Sequence, residues 1–107
     1  MKPAEKTNLL IQLGHAAAFL AAACEREAPE YGPVWRGFSR AALMLSTEPS
    51  DGAIKELLNA IAWFEGYRPN SFSEVYVVRV DLDEQERENA KFDELKNAVG
   101  RAMGALR

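Results

Sequence analysis

The sequence predicts an all-α fold: a compact bundle of four main helices, with a short helix or extended segment before the last. Three observations carry this. Apolar residues recur at helical spacing in four segments. Breaks rich in proline and glycine separate them, at Ala28-Pro29-Glu30-Tyr31-Gly32-Pro33, Thr47-Glu48-Pro49-Ser50 and Gly66-Tyr67-Arg68-Pro69-Asn70. The 107 residues suit a single helical domain, 1–107, with one modest core.

The first helix is predicted from about Pro3 to Glu27. Proline suits a first turn, where its missing N–H is not needed. Leu9, Leu13, Ala16, Leu20 and Cys24 form one stripe, and the alanine triplets at 16–18 and 21–23 leave a low surface for close packing. The second helix runs from about Pro33 to Ser46, with Trp35, Phe38, Ala42 and Leu45 as its stripe and Gly37 as the expected point of close crossing. The third starts with Ser50 or Asp51 as N-cap, carries Ile54, Leu57, Leu58 and Ile61, and stops at Gly66. The fourth is expected to start at Asp83, with Glu86 completing a capping box, and repeats Phe92, Leu95, Val99, Ala102 and Leu106 in heptad fashion. Leu13, Leu20, Phe38, Leu57, Ile61, Phe92, Leu95 and Val99 are the expected core.

Residues 71–82 carry two signals. Val78, Val80 and Leu82 alternate with Arg79, Asp81 and Asp83, as in a strand. Ser71-Phe72-Ser73-Glu74 instead resembles a helix start. A lone strand leaves its backbone groups without partners. The reading favoured is a short helix near Ser71 to Val77, then an extended linker. A strand here must pair with another chain or another extended piece.

Composition limits the function. The apolar fraction is 48% and the charged fraction 27%, as in globular domains. A net charge of -3 argues against a nucleic-acid partner, since phosphates need a basic face. Cys24 is the only cysteine, which excludes an intrachain disulfide and makes the cytoplasm the default compartment, although a periplasmic protein can also lack disulfides. The apolar part of the first helix is interrupted by Gln12, Gly14 and His15, and reads as neither signal peptide nor membrane span.

No catalytic, cofactor-binding or metal-binding residue is predicted, and the chain reads as a non-enzyme needing no cofactor. His15 stands alone inside a helix, without a second histidine to complete a metal site. Cys24 lies on an apolar stripe and reads as an inert thiol. The acidic run Asp81, Asp83, Glu84, Glu86 and Glu88 lacks the glycine turn of a calcium loop and reads as a solvated helix start. An unfamiliar active site among Glu65, Glu74, His15 and Tyr76 would require a pocket that gathers them.

Trp63, Phe64, Tyr67, Phe72 and Tyr76 crowd together with Arg68 and Arg79. These residue types are enriched at interface centres. Phe64 and Phe72 are expected to cap the core. Tyr67, Arg68, Glu74 and Tyr76 are the expected partner-binding set. Lys96, on the last helix, is expected to be dispensable.

The stretch from Phe64 to Val75 also resembles a family of small, uncharacterised bacterial helical proteins. These carry a Gly-Gly-Met-Gly-Ser-Leu-Asn-Asp segment after the third helix. Gly66 and Ser71 match it, Glu74 stands for its Asp, and Tyr67-Arg68-Pro69 replaces most of its glycine-rich turn. Glu88-Asn89, followed by Phe92 and Leu95, is similar to the start of that family's last helix. Immunity proteins are small acidic helical proteins of this kind, so the resemblance implies a protein partner, a cognate toxin domain whose active site is blocked. The second reading is a self-associating structural or regulatory bundle, a homodimer built on the alanine-rich first helix or the heptad-like last one.

Overall fold

The described residues form four α-helices: α1 (Pro3–Glu27), α2 (Gly32–Leu45), α3 (Asp51–Glu65) and α4 (Leu82–Leu106), with a 3-10 turn at Pro29–Tyr31 between the first two. The computed structural model describes residues 1–65, 72 and 75–107, and for 63–65 the backbone only. No strand occurs among the described residues. The fold is an all-α bundle, 47 × 24 × 19 Å, with its long axis set by the two 25-residue helices, each roughly 37 Å long.

α1 is the middle of the bundle. It packs against both α2 and α4, while α3 packs on α2. Leu10, Leu13, Ala17, Leu20, Ala21 and Cys24 are buried. The expected stripe is therefore displaced: Leu9 and Ala16 are only partly buried. A helix covered from two sides buries a wider band than one covered from one side. By length and hydropathy α1 would also suffice to cross a membrane, but in this fold its apolar band forms the core.

α2 contributes Trp35, Phe38 and Ala42. Its close crossing with α1 is not at Gly37, which faces open space, but at Gly14 of α1. A Cβ on Gly14 would lie 2.5 Å from Leu43 Cγ and 3.3 Å from the Ser39 carbonyl oxygen. The buried Ser39 hydroxyl donates to the Gly14 carbonyl at 2.6 Å, so a side chain of α2 bonds the backbone of α1 at this crossing.

Ser50 caps α3, its hydroxyl accepting from the Ala53 N–H at 3.3 Å. Lys6 reaches Asp51 at 2.7 Å and the Thr7 hydroxyl donates to the Ser46 carbonyl at 3.1 Å, which fixes the start of α3 beside the start of α1. Ile54, Leu58 and Ile61 are buried and Leu57 is partly so. The expected stop at Gly66 lies outside the described residues.

The cap of α4 is Asp81, two residues before the expected one. Asp81 is extended (φ -80°, ψ 120°), and its carboxylate accepts from the N–H groups of Asp83 and Glu84 at 2.8 and 3.2 Å. Asp83 is already in the first turn. Phe92, Val99, Ala102, Met103 and Leu106 are buried, whereas Leu95 is partly buried. Six of the eight expected core residues are thus fully buried. Leu57 and Leu95 lie at the margins of their helices' apolar bands.

Candidate functional site

Phe72 fixes the chain that enters the last helix. It is 1% exposed, stacks edge-on against Trp35 and Tyr31 at 5.1 and 5.4 Å, and lies tilted against Phe92 at 6.1 Å. The ammonium of Lys96 sits 5.2 Å from the Phe72 ring centre and 5.0 Å from that of Phe92, a cation–π arrangement. Lys96 also donates to the Val75 carbonyl at 2.6 Å. It is therefore not the dispensable cation expected: its stem and head lie over the aromatic end of the core.

From Val75 to Arg79 the chain is neither helix nor strand. Of the short helix expected over Ser71 to Val77, Ser71, Ser73 and Glu74 lie outside the described residues, and Val75 to Val77 are not helical. Phe72 has 3-10 geometry, with the Val75 N–H donating to its carbonyl at 3.0 Å. The backbone of this strap is held by side chains of α4. Asn89 takes Val77 by both groups: its Oδ1 accepts from the Val77 N–H at 2.7 Å and its Nδ2 donates to the Val77 carbonyl at 2.8 Å. Gln85 Oε1 accepts from the Arg79 N–H at 2.8 Å. These side chains supply what a neighbouring strand would.

Arg79 ties the strap to α1. Its guanidinium grips the Glu27 carboxylate with two hydrogen bonds, one of them 2.8 Å from Nη1 to Oε2, and Nε reaches Glu84 at 3.4 Å. The Arg79 hydrogen bond holds the Glu27 carboxyl below the usual carboxylate range. Glu27 in turn pushes Arg79 upward.

Held this way, the strap alternates. Val77 is buried and Val75 and Arg79 are partly so, while Tyr76, Val78 and Val80 point outward. Val80 is fully exposed, and Leu82, the first residue of α4, continues the exposed apolar row. Beyond it the acidic side chains Asp81, Asp83, Glu84 and Glu86 are exposed. Of the expected partner-binding set, Tyr76 lies in this row, 64% exposed. Tyr67, Arg68 and Glu74 lie outside the described residues. Val78, Val80 and Leu82 were not in that set, although their alternation is plain in the sequence. Phe19, Val34 and Met44 are also exposed, but they sit apart in sequence on α1 and α2.

Of the groups weighed for chemistry, the side chains of Glu65 and Glu74 lie outside the described residues. His15 is exposed on α1. Cys24 is fully buried, and burial pushes its thiol up to about 11, so it is protonated at neutral pH. An open cleft of about 470 Å³ between α3 and the end of α4 has Ile54, Leu58 and Leu106 in its wall and Asp51, Lys55 and Arg107 at its rim. A second, of about 300 Å³, runs between α1 and α4 past Gln12 and Arg101. Neither is lined by His15, Cys24 or Tyr76. No protein-family model matches the chain, and no curated protein or solved structure matches it either.

Proposed function

We propose that the protein is a binding module without chemistry of its own, an immunity-type inhibitor that covers the active site of a toxin domain in the cytoplasm. The observation that carries this is the exposed row Tyr76, Val78, Val80 and Leu82, which ends in the acidic start of α4. Apolar side chains presented side by side on a surface are characteristic of interaction sites. The strap is fixed along its inner edge by Asn89, Gln85 and Lys96, so little freedom is lost when a partner docks. The acidic flank favours a partner with a basic cleft, such as an enzyme acting on nucleotides or nucleic acid, and hastens encounter with it. The resemblance of 64–75 to the small bacterial helical family points the same way, and Tyr67, Arg68 and Glu74 of that stretch belong to the proposed partner-binding set. Self-association through the alanine-rich helix has less to use, because Ala17, Ala21 and Ala23 are buried inside the chain.

The test is co-expression with the product of a neighbouring toxin gene, scored by co-purification and by survival. The wild-type chain forms the complex and protects. Tyr76→Ala and Val78→Lys lose protection at unchanged melting temperature. A chain that neither binds nor protects against any neighbouring toxin overturns the proposal.

A further inference from the structure

We propose that the strap binds its partner as a β-strand: the outer backbone edge of 76–80 pairs with an extended segment of the partner that carries alternating β-branched residues and ends in basic ones. This rests on the docking role proposed above and specifies how that docking is made. In an extended chain the N–H and C=O groups of successive residues point to opposite edges. The edge formed by Val75, Val77 and Arg79 is turned to α4, where Lys96, Asn89 and Gln85 engage it. The other edge belongs to Tyr76, Val78 and Val80. Their amides donate to no group among the described residues, and all three residues are largely exposed. The Val78 carbonyl accepts one hydrogen bond, from Arg79 Nη1, the nitrogen that also bonds Glu27, and keeps a second lone pair. One side of this strap is thus already completed as a sheet would complete it, and the other, apart from the Arg79 contact at the Val78 carbonyl, is open for strand addition.

The occupant follows from the side chains. Tyr76, Val78 and Val80 pair best across a ladder with β-branched or aromatic residues. At the far end stand four exposed carboxylates, Asp81, Asp83, Glu84 and Glu86, so a strand continuing past Val80 meets negative charge and is matched by lysine or arginine. A second copy of this chain fits less well. It would bring another acidic helix start with it, and pairing over five residues covers well under the roughly 800 Å² per partner of a stable interface.

The probe is a short, end-blocked peptide of alternating valine and threonine ending in two lysines. Its counterparts end in two glutamates, or carry N-methyl groups on the alternate amides that face the strap. Fluorescence anisotropy reads binding, and amide hydrogen exchange reads pairing. The expected result is saturable binding of the lysine peptide with slowed exchange at Tyr76, Val78 and Val80. The glutamate peptide binds at least about tenfold more weakly, and the N-methylated one does not bind. Val78→Pro removes the outward N–H and weakens binding by about tenfold or more, whereas Val78→Thr retains it. The N-methylated peptide makes the same test without altering the protein. Binding with unprotected amides at 76, 78 and 80 overturns strand pairing but leaves a side-chain docking surface standing. A failure of all three peptides to bind also overturns it. So does a dimer of the chain alone that Val78→Pro dissociates, which would make the occupant a second copy. Loss of toxin protection in Tyr76→Ala, with the peptide still bound through the backbone, separates the two proposals.

Discussion

Asn89 holds Val77 by both its N–H and its C=O, so one carboxamide on a helix does the work of a facing strand. The same Nδ2 also donates to the Gln85 carbonyl at 3.0 Å, which fixes which end of the amide is which. Asn89→Asp keeps the size and one acceptor but loses the donor. A carboxylate oxygen then faces the Val77 carbonyl. We expect a loss of about 1–3 kcal/mol in urea denaturation at pH 7 and faster amide exchange at Val77. An unchanged midpoint would show that the clasp contributes nothing to stability.

The grip of Arg79 on Glu27 predicts an acid-sensitive strap. The Glu27 carboxyl is lowered in the fold, chiefly by the Arg79 hydrogen bond. Its contribution is therefore complete above the unfolded value of about 4.3 and is lost as pH falls through the lower folded value. Arg79 stays charged throughout. Glu27→Gln should cost about 1–2 kcal/mol at pH 7, and the difference from wild type should shrink at the acid end of this range. Thermal melts from pH 7 down to about 3 provide the check. A constant difference across that range would contradict the assignment.

Gly14 should resist the substitution that helix propensity favours. Alanine gains about 1 kcal/mol inside a helix. Here its methyl would meet Leu43 at 2.5 Å and press on the Ser39 carbonyl, and overpacking of this kind costs about 1–3 kcal/mol. Gly14→Ala should lower the melting temperature, while Gly37→Ala, in open space, should raise it. Equal behaviour at the two sites would mean that α1 and α2 separate freely.

Leu10 and Leu57 should differ. Leu10 is fully buried on the central helix, and Leu10→Ala should cost about 2–5 kcal/mol. Leu57 lies at the edge of its stripe, and Leu57→Ala should cost at least about 1 kcal/mol less. Chemical denaturation of both variants decides it, and a larger loss at Leu57 would place α3 deeper in the core than it stands here.

The helices were legible because their signals are local. Proline at a first turn placed the start of α1, and the four-three spacing placed its leucines to within a residue. The displacement from Leu9 to Leu10 was not legible, since it depends on α1 being covered from two sides. The strap was half legible. The alternation of Val78, Val80 and Leu82 was visible, but a single strand had no partner to be given. That partner is a polar row, Gln85, Asn89 and Lys96, spaced by four and seven along α4. Such residues at helical spacing ordinarily face water, so only the folded chain distinguishes these from solvated ones. Lys96 was misjudged for the same reason.

A segment gripped by its main chain leaves its outward side chains without duties in the fold. Tyr76, Val78 and Val80 can be exchanged while Asn89 and Gln85 continue to hold the same peptide groups. A lineage could thus revise what this surface recognises, one outward position at a time, without passing through an unfolded ancestor. Drift at Asn89, by contrast, would alter the presentation of all three at once.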